Sequence, residues 1–181
     1  MRLFAAVLPP AGAVGELRGV VQGLPAAPGV RWTAESGWHY TLAFMGEVGE
    51  DLLPDLLARL ARAAARTEPF TLRVHGSGHF GDRALWVGAA GGLDALRMLA
   101  ERADAAARRA GVPMEQHHRY TPHLTLARAK EGAADLRPYA EALAGFEGGP
   151  WPVRELSLVR SDLDPVGGPR YDVVGAWPIG G

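Results

Sequence analysis

Two short stretches of this chain are nearly identical: His39-Tyr40-Thr41-Leu42-Ala43 and His123-Leu124-Thr125-Leu126-Ala127. They stand 84 positions apart, and each lies in an apolar run of strand-forming residues. With 6 His and 6 Thr, a His followed two places on by a Thr is expected about 0.2 times by chance. Two copies that also share Leu and Ala are therefore not an accident of composition. A strand motif repeated half a chain apart implies two similar lobes related by an approximate two-fold axis. That arrangement brings the two motif faces together across a cleft.

The rest of the pattern agrees with a mixed architecture. Apolar runs predict strands over 3–8, 30–33, 38–45, 70–74, 84–89, 123–128, 153–160 and 171–177. Leu52, Leu53, Leu56, Leu57 and Leu60 make a helical stripe within 50–66, with Arg59, Arg62 and Arg66 at its edge or opposite. Leu93, Leu96, Leu99, Ala103, Ala106 and Ala110 mark a second helix over 93–110, stopped by Gly111 and Pro113. Weaker helical patterns lie near 14–21 and 133–143. Hairpin-like pairs separated by helices predict an α+β fold with helices on antiparallel sheets. The whole chain, 1–181, reads as a single two-lobed domain with one motif per lobe, at 39–42 and 123–126.

Composition removes several classes of function. The chain has no cysteine, so no disulfide framework, thiol nucleophile or Cys-held zinc is available. No apolar stretch is long enough for a membrane span, and the N-terminal run is too short for a signal-peptide core. A cytoplasmic, monomeric protein is the expectation. Nineteen basic residues against 20 acidic leave a formal charge of −1, so any polyanion contact must be local. All but one of the basic residues are Arg, Lys130 being the exception, which reads as a G+C bias of the coding DNA.

Side chains alternate along a strand, so His39 and Thr41 share one face and His123 and Thr125 share another. Each His lies roughly 6–7 Å from its Thr, within reach of one small anion. Imidazole titrates near neutrality, so two of them can divide proton removal and proton donation between them. Threonine hydroxyls hydrogen-bond phosphoryl oxygens. The constellation suits displacement at phosphorus, with a water activated on one side and an alcohol leaving on the other. A His-based metal site at His117, His118 and His123 has no accompanying acidic cluster, so no metal or other cofactor is expected. His75 and His79 flank Gly76-Ser77-Gly78 and read as loop or hairpin surface. Asp162-Leu163-Asp164-Pro165 reads as a turn.

The paired motifs resemble the 2H phosphoesterase superfamily. The flanks resemble its RNA 2′,3′-cyclic phosphodiesterases, also called 2′-5′ RNA ligases. Those flanks include Arg2-Leu3-Phe4-Ala5-Ala6, Val30-Arg31-Trp32, Ala84-Leu85-Trp86-Val87-Gly88, Tyr120-Thr121-Pro122 and Leu158-Val159-Arg160-Ser161. Tyr40 stands where that family often has Leu, and Tyr120 where Phe is usual. The resemblance implies metal-independent hydrolysis of an RNA 2′,3′-cyclic phosphate end, or of a cyclic nucleotide, leaving a 2′-phosphate. It implies His39 as proton donor and His123 as proton acceptor, with Thr41 and Thr125 on the phosphate oxygens. Arg128 would stabilise the developing phosphorane, although strict alternation turns it away from His123. Phe4 is implied as a stacking surface for a base, with core packing as its alternative role.

Two rival readings use the same residues. One is a 2H phosphodiesterase acting on a small cyclic-phosphate metabolite. The other is a non-catalytic module that binds RNA ends or nucleotides. A basic groove from the cleft, formed by Arg31, Arg119 and Arg128, would favour RNA, and binding would then weaken steeply with salt.

Overall fold

A computed structural model gives the conformation of residues 1–26, 28–116, 119–165 and 167–181. The strands are β1 (Arg2–Val7), β2 (Val30–Trp32), β3 (Tyr40–Glu47), β4 (Phe70–Phe80), β5 (Ala84–Gly91), β6 (Leu124–Ala129), β7 (Trp151–Val153), β8 (Glu155–Asp164) and β9 (Gly168–Pro178). The helices are α1 (Ala11–Gln22), α2 (Leu53–Ala65), α3 (Leu93–Arg109) and α4 (Arg137–Leu143). The α+β class read from the sequence is the one observed.

All nine strands belong to one antiparallel sheet in the order β7-β4-β5-β6-β3-β1-β8-β9, with β2 added to β6. The first half of the chain supplies β1 and β3, and the second supplies β6 and β8. The sheet is thus assembled across the halves, and β3 and β6 are neighbours at its middle. They are joined through a single paired position, Tyr40 with Leu124. α2 packs on α3, β8 and β9, and α3 also covers β3 and the edge of β4. α4 lies on β4 and β5, and α1 on β4.

Alternation in β1 decides what each face buries. Leu3, Ala5 and Val7 point into the main core with Leu56, Leu60, Leu96, Leu99 and Leu158. Phe4 and Ala6 point the other way, forming with Val159 and Tyr171 a small cluster on the opposite face. α3 ends as its sequence predicts. Gly111 has φ +94°, its N–H donates to Arg108 O, and the N–H of Val112 donates to Ala107 O.

Several boundaries differ from the sequence reading. The stretch 50–52 is a 3₁₀ turn before α2, and α4 begins only at Arg137. β4 runs on to Phe80, so His75 and His79 are exposed strand residues of the β4–β5 hairpin, its surface and not a loop. Glycine makes that extension possible: a Cβ on Gly78 would lie 2.3 Å from the Trp86 ring. His75 pairs with Glu147 at 3.2 Å, and His79 Nδ1 donates to Gly81 O at 2.7 Å. His117, His118 and the Val166 position of the last turn lie outside the described residues.

Candidate active site

The two motifs keep their similarity in three dimensions, residue by residue. The strands begin at Tyr40 and at Leu124, two positions and one position later than the sequence suggests, so the histidine is the last residue before each. His39 Nδ1 donates to Gly37 O at 2.7 Å, and His123 Nδ1 donates to Thr121 O at 2.9 Å. A carbonyl only accepts, so the proton of the neutral imidazole sits on Nδ1 in both. Nε2 is left in each ring for chemistry.

The Tyr40–Leu124 pairing sets the geometry between the motifs. Antiparallel register extended by one residue either way sets Thr41 opposite His123, and Thr125 opposite His39. All four side chains fall on the face away from Tyr40 and Leu124, which are both 0% exposed. Each histidine therefore neighbours the threonine of the other motif as well as its own. The Tyr40 hydroxyl is used elsewhere, donating to Gly88 O at 2.8 Å in the interior.

Each motif also carries a bulge at its leucine. Ala5 and Ala6 of β1 pair with Ala43 and Thr41, leaving Leu42 as the extra residue. Leu85 and Trp86 of β5 pair with Ala127 and Thr125, leaving Leu126 as the extra one. A bulge inserts one residue and reverses the alternation beyond it. Leu42 with Ala43, and Leu126 with Ala127, are accordingly buried in succession, and the next residue is exposed. That residue is Phe44 in one motif and Arg128 in the other. The conflict between strand alternation and Arg128 is thereby resolved, since the guanidinium returns to the face of His123 and Thr125. Arg128 is also the register partner of Arg31 on β2.

Aromatic rings hold each imidazole. Phe4 lies 4.6 Å from His39 between centroids, and Tyr171 meets both rings edge-on at 5.7 and 5.5 Å. Phe4 is 3% exposed, so its ring supports the imidazole and has no free face for a base. Gly37 is part of the same packing, because a Cβ there would come within 2.9 Å of Tyr171. His123 lies 4.9 Å from Phe80 and 6.0 Å from Trp86. Burial holds the His39 imidazole below its ordinary pKa, and the positive charge of Arg128 pushes the same way. The hydrogen bond to Gly37 opposes them in part.

A cleft of about 720 Å³ opens from Thr41 and His123. Phe44 and Phe80 stand on its walls, 53% and 46% exposed, with Tyr120, Arg97 and Arg119. His39, Thr125 and Arg128 lie outside that lining. Arg119 is thus on the cleft, while Arg31 and Arg128 sit together along β2 and β6. Sequence reasoning missed Phe44 and Phe80 as site residues. The signal for Phe44 was present in the consecutive apolar pair Leu-Ala after each threonine, which breaks strand alternation. No group of three or more His, Cys, Asp or Glu side chains suited to a metal occurs among the described residues.

Comparison with known proteins follows the same outline. An RNA 2′,3′-cyclic phosphodiesterase of Thermus thermophilus is 37% identical over 156 residues, covering 79% of this chain and 72% of that protein. One from Geobacillus stearothermophilus is 30% identical over 82% of this chain, but the match spans 47% of its own length. The crystal structure of E. coli LigT complexed with 3′-AMP superposes with a TM-score of 0.79 at 27% identity, covering 98% of this chain and 97% of that one. The profile of the 2′-5′ RNA ligase superfamily matches residues 8–165. With that match over most of its length, and a sheet and helices like those of LigT, the chain belongs to the 2′-5′ RNA ligase superfamily.

Proposed function

We propose that this protein hydrolyses 2′,3′-cyclic phosphate ends of RNA to 2′-phosphate ends, using His39 and His123 as an acid–base pair and no metal. The observation that carries the reading is the crossed quartet, in which two imidazoles with free Nε2 atoms alternate with two threonine hydroxyls on one face. A cyclic phosphodiester seated there accepts hydrogen bonds from Thr41 and Thr125. His123 Nε2 takes a proton from water as its oxygen bonds to phosphorus. The bond to the 3′-oxygen breaks as His39 Nε2–H delivers its proton to that oxygen. Charge gathering on the phosphoryl oxygens is met by Arg128. The products are a 2′-phosphate and a 3′-hydroxyl, and one proton passed from His123 to His39 through solvent restores the starting state.

Burial lowers the His39 pKa and favours its neutral form, which at first argues against a donor. An anionic phosphodiester supplies the opposite charge that burial lacks, so the proton is taken up as the substrate binds. The same step with an RNA 5′-hydroxyl in place of water as the entering group, and the 3′-oxygen again leaving, accounts for 2′-5′ joining, the reaction for which the superfamily is named. The two-lobed, single-domain reading is supported by the sheet order, since each motif strand begins one half of the sheet. No helix is long and apolar enough to cross a membrane among the described residues; a monomer in the cytoplasm, alongside its RNA, fits this reading.

The test is hydrolysis of a short RNA ending in a 2′,3′-cyclic phosphate, in excess EDTA, by wild type, H39A and H123A. Turnover by wild type alone, with a 2′-phosphate product, is expected. Reversible loss of activity in EDTA would overturn the metal-free mechanism. Binding of the RNA without turnover would favour an end-binding module.

A further inference from the structure

A second concentration of charge lies outside the cleft, on the pair α2 and α3. Arg59, Arg62 and Arg66 recur every three or four residues along α2 and its C-cap, and so share one face. Arg102 and Arg109 of α3 are two turns apart and face them, with Ala63, Ala105 and Ala106 between the rows. The groove between them measures about 90 Å³. The small alanines let the helices come close and the guanidiniums converge.

Two of the five arginines have local work. Arg59 Nε bonds Asp55 at 2.8 Å, and Arg102 Nη1 donates to Arg66 O and Thr67 Oγ1 at 2.9 and 3.0 Å. Arg62, Arg66 and Arg109 have no side-chain partner among the described residues. A basic residue in the last turn of a helix is ordinarily explained by the helix dipole. That explains one per helix end and does not explain five that face one another across a gap. The coding bias toward Arg sets the residue type, not its placement. In a chain of formal charge −1, this is a local field for an anion.

α3 ties this groove to the cleft. Its Arg97, Ala100, Glu101 and Asp104 line the cleft, whereas Arg102, Ala105, Ala106 and Arg109 line the groove. The two sites therefore lie on opposite flanks of one helix, about 10–12 Å across with its side chains. At ~3.4 Å per stacked residue, roughly three or four nucleotides cross the width of α3, and further ones reach the quartet on the sheet face turned away from it. The planar fork of Arg matches a phosphodiester better than the point charge of Lys does.

We propose that the α2–α3 arginine groove binds the sugar–phosphate backbone of an RNA strand, several nucleotides upstream of the 3′ end that reacts at the quartet. The inference rests on the RNA reading of the cleft. Contacts here are to phosphate and carry no base preference, so they favour long RNA over cyclic nucleotides without choosing a sequence.

The variant R62Q/R66Q/R109Q leaves the Arg59 and Arg102 bonds intact. Binding of a 12-nucleotide RNA with a 2′-phosphate end is measured by anisotropy between 50 and 200 mM salt. Kinetics use a cyclic-phosphate dinucleotide and a cyclic-phosphate 12-mer. The triple variant is expected to bind the 12-mer about tenfold or more weakly at low salt, with a log–log salt slope shallower by about 2, as three lost contacts at ~0.7 each imply. Dinucleotide kcat/KM is expected to stay unchanged, and R62K/R66K/R109K to retain most of the slope. Unchanged 12-mer affinity and slope in the glutamine variant would overturn the proposal. So would competition by polyglutamate as effective as that by RNA, which would assign the groove to an acidic protein segment. If neither cyclic substrate turns over, the cleft reading fails, while the binding arm still decides whether the groove holds RNA.

Discussion

The surroundings of His39 and His123 start from the same five-residue code and finish as different chemical environments. Both imidazoles donate Nδ1–H to a carbonyl two residues back, both precede a strand whose first five residues share one burial pattern, and both strands bulge at the motif leucine. Beyond that they diverge. His39 rests on the covered ring of Phe4, and burial and nearby positive charge lower its pKa. His123 rests against Phe80, half exposed on the cleft wall. After the bulge, one motif presents Phe44 and the other Arg128. A duplicated local structure thus supplies two interchangeable-looking bases, and packing contributed from elsewhere in the chain makes them unequal. Unequal partners are what acid–base catalysis needs.

The largest expected effect tests whether both members are required. H39A and H123A should each lower kcat on a cyclic-phosphate RNA by about 10²–10⁴-fold. A variant retaining a tenth of wild-type rate would show that one imidazole suffices. R128A should cost about 10²-fold in kcat, by analogy with loss of one donor from an oxyanion site. The same change should raise the His39 pKa, because a positive neighbour is removed; an NMR titration that moves the other way would contradict the electrostatic account. F4A and F80A contrast the two ring supports. Truncating buried Phe4 should destabilise the fold by about 3–5 kcal/mol, whereas truncating exposed Phe80 should change stability by only about 0.5 kcal/mol. Denaturant unfolding checks both, and equal losses would erase the distinction between the sites.

How much of this was legible in the sequence depends on the distance over which each feature is encoded. The stripe of α2 and the Gly111 stop of α3 are set within a few residues, and both stand where expected. β4 was read short because the Gly76-Ser77-Gly78 run signals a turn locally. Only the Trp86 ring, packed from the neighbouring strand, explains why glycine is needed inside a strand. Phe4 could be assigned to a base or to the core from sequence alone, and the position of His39 beside it decides for packing.

Two smaller effects complete the comparison. T41V and T125V should each reduce kcat/KM by about tenfold or less, since a neutral hydrogen bond contributes ~0.5–1.5 kcal/mol. Equal losses are expected, because the crossed register gives each threonine the same two histidine neighbours. The last effect is on stability against pH. His39 has a lower pKa folded than unfolded, where ~6.5 applies. As pH falls through that value, the unfolded chain gains a proton that the folded protein resists. His39's contribution is therefore complete above pH ~6.5 and declines below it, until the folded imidazole also protonates. Urea unfolding from pH 8 to 5 should show wild type losing more stability than H39Q.

By itself the sequence determined the repeated motif, the strands and helices that carry it, and the identity of the four side chains proposed for the reacting centre. These are properties of alternation and periodicity over five to fifteen residues. Tertiary structure decided which residues oppose one another between copies, which way Arg128 points, and which histidine is covered. Register between β3 and β6 depends on contacts between segments 84 positions apart, and a single bulge residue is enough to turn every later side chain to the other face.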